Sequence, residues 1–170
     1  MWQLNVRIEH SGAAPDGVMK RDFNRAMKTA FDQTGHWFLK NKIPIRFTQR
    51  GFYLLQYSKR SPKYERSKIT KFGHRDPLVY TGITRDNTLS GSRVKATGQG
   101  NDARARIILN ARGLNRRPKN SKINKADEVR RVAPAEGREA AAQFDRFMKV
   151  QISKLAADAA IRKISIRAFI

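Results

Sequence analysis

Hydrophobic and polar positions alternate along residues 2–9. Trp2, Leu4, Val6 and Ile8 fall on one side, and Gln3, Asn5, Arg7 and Glu9 on the other. This period of two predicts a half-buried strand. A turn cluster, SGAAPDG, follows at residues 11–17. The period then changes. Met19, Phe23, Met27, Ala30, Phe31, Thr34, Trp37 and Phe38 recur at steps of three and four. They predict a long amphipathic helix over about 16–40, with Asp16 as its N-cap and Lys20, Arg21, Arg25 and Lys28 off the apolar stripe. Pro44 disfavours helix in the residue before it, so the helix ends there. Two short apolar runs, 45–47 and 52–57, flank Thr48-Gln49-Arg50-Gly51 and predict an exposed hairpin. Apolar character returns at 77–82, and 84–89 reads as a short helical turn. Residues 93–97 and 104–111 predict two more strands, joined by a turn at 98–102. A second long helix is predicted over 134–160. Pro134 suits its first turn, and Phe144, Phe147, Met148, Ile152, Leu155 and Ala159 mark its buried face. Residues 163–170 alternate again, so 161–170 reads as a last strand or an arm.

Consecutive strands joined by short turns favour antiparallel pairing, and helices on one face of such a sheet define the α+β class. The expected fold is a small antiparallel sheet packed by two long helices, in one domain spanning 1–160. In two stretches the core signal almost vanishes. Residues 58–76 carry Lys59, Arg60, Lys63, Arg66, Lys68, Lys71 and Arg75, with Tyr64 and Phe72 interleaved. Residues 112–125 carry Arg112, Arg116, Arg117, Lys119 and Lys122. Both read as extended basic loops or arms, the kind of segment that orders on meeting a partner.

Charge sharpens that picture. Lys and Arg number 36 against 14 Asp and Glu, a net charge of +22. A compact monomer with that surplus repels itself, and a polyanion or acidic protein neighbours relieve it. The two arms are therefore the expected contacts to DNA phosphates or to a partner, positioning without reading sequence. No recognition-helix, zinc-finger or RNA-recognition pattern stands beside them.

The chain holds no cysteine and three histidines, His10, His36 and His74, without metal-ligand spacing. It has no phosphate-binding glycine loop and no nucleophile elbow. His74-Arg75-Asp76, and a meeting of Asp76 with Asp86 and Asp102, are the nearest approaches to a hydrolase or two-metal nuclease cluster. The expectation is a protein that is not an enzyme and needs no cofactor or metal. No apolar run nears the roughly 20 residues that span a bilayer, and the start of the chain alternates instead of forming a signal-peptide core. Synthesis in the cytoplasm without a membrane partner is the corresponding expectation.

The stretch Asp76-Pro77-Leu78-Val79-Tyr80-Thr81-Gly82-Ile83-Thr84-Arg85 resembles phage virion-morphogenesis and tail-completion proteins, with their Pro-Leu, Thr-Gly and short-turn order. Residues 114–118, LNRRP, then 127–132, DEVRRV, and a Pro-x-Glu helix start are similar to the C-terminal half of that family. The resemblance covers about 1–160 and leaves the tail unmatched. It implies a structural subunit of the virion head–tail junction, assembled as a ring, commonly six-fold. Such a ring would join the tail to the portal–adaptor complex, beside tail-terminator or tail-tube proteins and around the DNA channel. It also implies that Pro77, Leu78, Thr81 and Gly82 are fold elements, Gly82 through a positive-φ turn and Thr81 through a hydroxyl cap. The alternatives are a nonspecific nucleic-acid-binding protein of packaging or ribosomal type, and a DNA nuclease.

Overall fold

The computed structural model describes residues 2–7, 20–79, 82–98, 103–110, 114 and 123–167, with the backbone alone described for 2–7 and 158–167. Strand β1 (Trp2–Arg7) is followed by helix α1 (Lys20–Asn41), a 3₁₀ turn (Pro44–Phe47), α2 (Gln49–Leu54), α3 (Pro62–Phe72) and α4 (Ile83–Gly91). Then come strands β2 (Arg93–Thr97) and β3 (Arg104–Leu109), and helices α5 (Lys125–Arg130) and α6 (Pro134–Arg167). The class is α+β, as the period changes predict. The sheet is antiparallel in the order β1-β3-β2. Helix α1 packs on β2 and β3, and α6 packs chiefly on α1.

The stripe on α1 does what its spacing predicts. Phe23, Met27, Ala30, Phe31, Thr34 and Phe38 are buried, while Lys20, Arg21, Arg25 and Lys28 are exposed. The buried residues feed two core clusters. One gathers Phe38, Ile43, Phe47, Ile107, Leu109 and Val129. The other gathers Phe23, Met27, Phe31, Ala105, Phe144 and Met148. Asp16, Met19 and the turn at 98–102 fall wholly or partly outside the described residues.

Three expectations are corrected, and a fourth, the arm at 112–125, lies largely outside the described residues. The hairpin over 45–57 is instead the 3₁₀ turn and α2. Thr48 caps α2 by accepting from the Gly51 N–H, and a Cβ on Gly51 would stand 2.1 Å from the Ile45 carbonyl oxygen. The backbones of the 3₁₀ turn and α2 thus pack so closely that only glycine fits at 51. The basic stretch 58–76 is no extended arm. Ser61 accepts from the Tyr64 N–H, Pro62 opens the first turn of α3, and Gly73 closes it at φ 70°. Lys, Arg and Glu are good helix formers even where nothing apolar drives packing. Residues 112–125 are described only in part, and Lys125 already belongs to α5, which Asn124 caps. Finally, α6 runs through to Arg167, so 161–167 is neither strand nor arm. No Gly or Pro interrupts the chain after Gly137, and nothing local stops the helix.

Helix α2 ends in an unusual cap. Gln56 lies at φ 50°, its N–H donates to the Tyr53 carbonyl, and the Tyr57 N–H donates to the Phe52 carbonyl. Phe52 and Tyr57 seal the turn with ring centroids 6.3 Å apart. This is the Schellman pattern with glutamine at the place glycine prefers. Tyr57 is buried, its hydroxyl has no partner, and burial raises its pKa above the usual value of 10.0. The folded state therefore holds the phenol proton where the unfolded chain releases it. Stability falls as pH climbs above about 10. Tyr57→Phe is expected to stabilise by about 1 kcal/mol at neutral pH, because it removes an unmet buried hydroxyl. It should also flatten the alkaline limb in urea melts taken at several pH values. An unchanged alkaline limb would show that the hydroxyl is not the cause.

Candidate polyanion-binding surfaces

The cations singled out in 58–76 do not behave alike. Lys59, Lys63, Arg66, Lys71 and Arg75 are exposed, on α3 or beside it. Arg60 and Lys68 are structural. Arg60 Nη1 and Nη2 donate to Glu128 Oε1 and Oε2 at 3.0 and 2.5 Å, and the Ser58 N–H donates to Glu128 Oε1 at 3.0 Å. Glu128 is 1% exposed, so this pair ties the linker before α3 to α5. Lys68 is buried. Its Nζ donates to the Asp76 carbonyl and lies 5.9 Å from the Tyr64 ring centre. Burial pushes its pKa down, Asp76 partly opposes that shift, and Arg60 and Lys125 add to it. Burial lowers Lys125 as well, with Arg60 beside it. A pocket of about 120 Å³ lies between α2 and α3, walled by Tyr53, Arg60, Tyr64, Lys68, Arg75 and Leu78. Its two inner cations are already engaged, so it is not a vacant anion cradle.

Arg112, Arg116, Arg117, Lys119 and Lys122 lie outside the described residues, as do Thr81, His10 and Asp102. Pro77 is buried. Leu78, at φ 60°, packs against the first core cluster and against a third made by Leu55, Tyr57 and Ala133. Gly82 adopts φ 84° as the N-cap of α4, and its carbonyl accepts from the Asp86 N–H at 2.9 Å. A positive φ in a bulky residue such as Leu78 costs energy and persists only where packing over-determines it. Pro77 and Leu78 thus sit in the packed body of the protein, and Gly82 at the start of a helix. His36 is exposed on α1, with Nδ1 2.9 Å from the Asp32 carbonyl oxygen. Among the described residues no three His, Asp or Glu side chains come together to hold a metal.

A second basic surface escapes the loop-centred reading. Val94 and Ala96 on β2 pair with Ile107 and Ala105 on β3 and join the core under α1. The alternate positions lie on the opposite face. Arg93 pairs with Ile108, Lys95 with Arg106, and Thr97 with Arg104. Arg93 and Lys95 are exposed, and Arg104 and Arg106 are half-buried. In register, Arg7 of β1 stands opposite Arg104. Neither β2 nor β3 carries an acidic residue. Among the described elements, α1 is the one laid across the sheet, and it covers the other side. The signal was present in the sequence: RVKAT and RARIIL place a cation at every second position at their starts. Tallying charge by loops hides a charge pattern with the period of a strand.

No family model, curated protein or solved structure matches the chain.

Proposed function

We propose that the chain is a structural subunit of a phage head–tail connector, a tail-completion protein that joins the tail to the portal–adaptor complex as a ring around the DNA channel. The observation that carries this reading is the sorting of charge. In a chain with a surplus of +22, cations are exposed on β2 and on α3, while the carboxylates Glu128 and Glu136 are spent on buried internal pairs. Such a surface suits a scaffold that lives against a polyanion, since its own repulsion is relieved by its surroundings. The Pro77-to-Gly82 stretch supports the same reading through a buried proline and a positive-φ glycine that starts a helix. Identical subunits joined head to tail close into a ring when the rotation permits. The proposal carries no catalytic step.

Native mass spectrometry of the purified protein, alone and mixed with portal, adaptor and tail components, tests the reading. A closed-ring mass, with the chain found in purified virions, is the expected result. A chain that stays monomeric in every mixture and is absent from particles overturns it.

A further inference from the structure

We propose that the face of β2 and β3 turned away from α1, centred on Lys95 and Arg106, is a contact surface for the sugar-phosphate backbone of duplex DNA. The assignment rests on the connector reading for the polyanion at hand, and it moves the contact from the basic loops to the strands. Lys95 and Arg106 are direct cross-strand partners. Side chains so placed have Cβ atoms about 5 Å apart, and like charges there destabilise the sheet. Arg93 and Arg104 extend the positive field to either side, and no carboxylate on β2 or β3 relieves it. Like charges paired across two strands that carry no carboxylate suit a surface that meets an external anion. An oxyanion laid against the exposed Lys95 and the half-buried Arg106 relieves the repulsion.

The chemistry of the face selects the occupant. Readers of single strands stack bases on aromatic rings, and β2 and β3 contain none. Protein partners seat aromatic and apolar groups at the centre of an interface. Here the centre is a Lys–Arg pair, and Ile108 is the one large apolar residue that β2 and β3 place on this side. Phosphates along a duplex need only cations at a regular spacing, and positions two apart on a strand repeat at about 6.7 Å.

The test is fluorescence anisotropy with a random-sequence DNA duplex across a salt series, comparing the full-length chain with two triple variants. Arg93→Gln/Lys95→Gln/Arg106→Gln should lower affinity on the order of tenfold or more and reduce the log–log salt slope by about 2.7, at roughly 0.9 per phosphate contact. Lys63→Gln/Arg66→Gln/Lys71→Gln removes equal charge from α3 and should change the slope by less than half as much. Should the first variant melt early, Arg93→Gln/Lys95→Gln on the exposed edge strand still predicts a slope reduction of about 1.8. Equal losses in the two triples mean a diffuse charge effect and overturn the proposal, as does an unchanged slope in the strand variants. Tighter binding of an RNA duplex or of poly-glutamate overturns the choice of occupant. Ring formation is read separately by mass, so a monomer that binds DNA through this face defeats the connector reading and spares the surface.

Discussion

Arg46→Ala is expected to destabilise the protein by about 3–5 kcal/mol, the usual result of breaking a buried ion pair by removing one partner. Arg46 is 0% and Glu136 1% exposed, and they are 90 residues apart in the chain. All five guanidinium protons are used. Nε donates to the Val129 carbonyl at 2.8 Å. Nη1 donates to the Lys42 carbonyl at 2.6 Å and to Glu136 Oε1 at 3.1 Å. Nη2 donates to the Arg131 carbonyl at 3.0 Å and to Glu136 Oε2 at 3.0 Å. Glu136 Oε2 also accepts from the Ala133 N–H at 3.2 Å, which caps the start of α6. One side chain thus binds the 3₁₀ turn to α5, to the α5–α6 linker and to α6.

Removing Arg46 strands a carboxylate in the core and orphans three carbonyls. Arg46→Lys should not rescue it, since an ammonium cannot form the two-pronged contact. Arg46→Met/Glu136→Met removes both charges yet still leaves those carbonyls and the Ala133 N–H unmet, at about 1–3 kcal/mol each. The double variant should therefore regain only part of the loss. Against a total stability of about 5–15 kcal/mol, a loss of that size is easily read in urea unfolding. A cost below about 1 kcal/mol for Arg46→Ala would mean that the network is not holding these segments together.

The same network explains where the sequence was legible. Regular apolar spacing marks α1, the strands and the body of α6, because packing on one face is what creates the period. Residues 45–57 defeat that logic. Ile45-Arg46-Phe47 looks like a strand with an outward arginine until Glu136 supplies a buried partner, and no local pattern announces a partner that distant. For α3 the stripe is missing because among its residues only Lys68 is fully buried. Its start and stop signals, Ser61-Pro62 and Gly73, were nevertheless present in the sequence. In the tail, the alternation of Ile164, Ile166 and Ala168 suggests a strand or an arm, although no breaker separates it from the helix before it. The candidate site divides along the same line. Arg60 and Lys68 looked like surface cations because Glu128 and the Asp76 carbonyl meet them only in the folded chain. The strand cations went unmarked because their partners across the sheet become visible only with the register.

Phe144→Ala is the second large effect, expected to cost about 3–5 kcal/mol. Phe144 is 2% exposed, and its ring centre lies 4.5 Å from that of Phe31, itself 1% exposed, at a tilt of 39°. The pair sits in the cluster that fastens α6 to α1, together with Phe23, Met27 and Met148. Beyond Met148 that attachment thins, with Ile152 and Leu155 only partly buried. Truncating Phe144 therefore removes the main anchor of the second half of the helix. Hydrogen exchange should report a larger loss of protection over residues 144–157 than over β3, whose ladders to β1 and β2 stay intact. Val150→Ala, at a site 48% exposed on the same helix, should stay within about 0.5 kcal/mol of the parent. The cationic side of β2 and β3 lies opposite to α1, so Phe144→Ala should leave the DNA salt slope unchanged at temperatures where the sheet remains folded. A slope that falls together with the protection of α6 would mean that the helix, and not the strands, carries the polyanion contact.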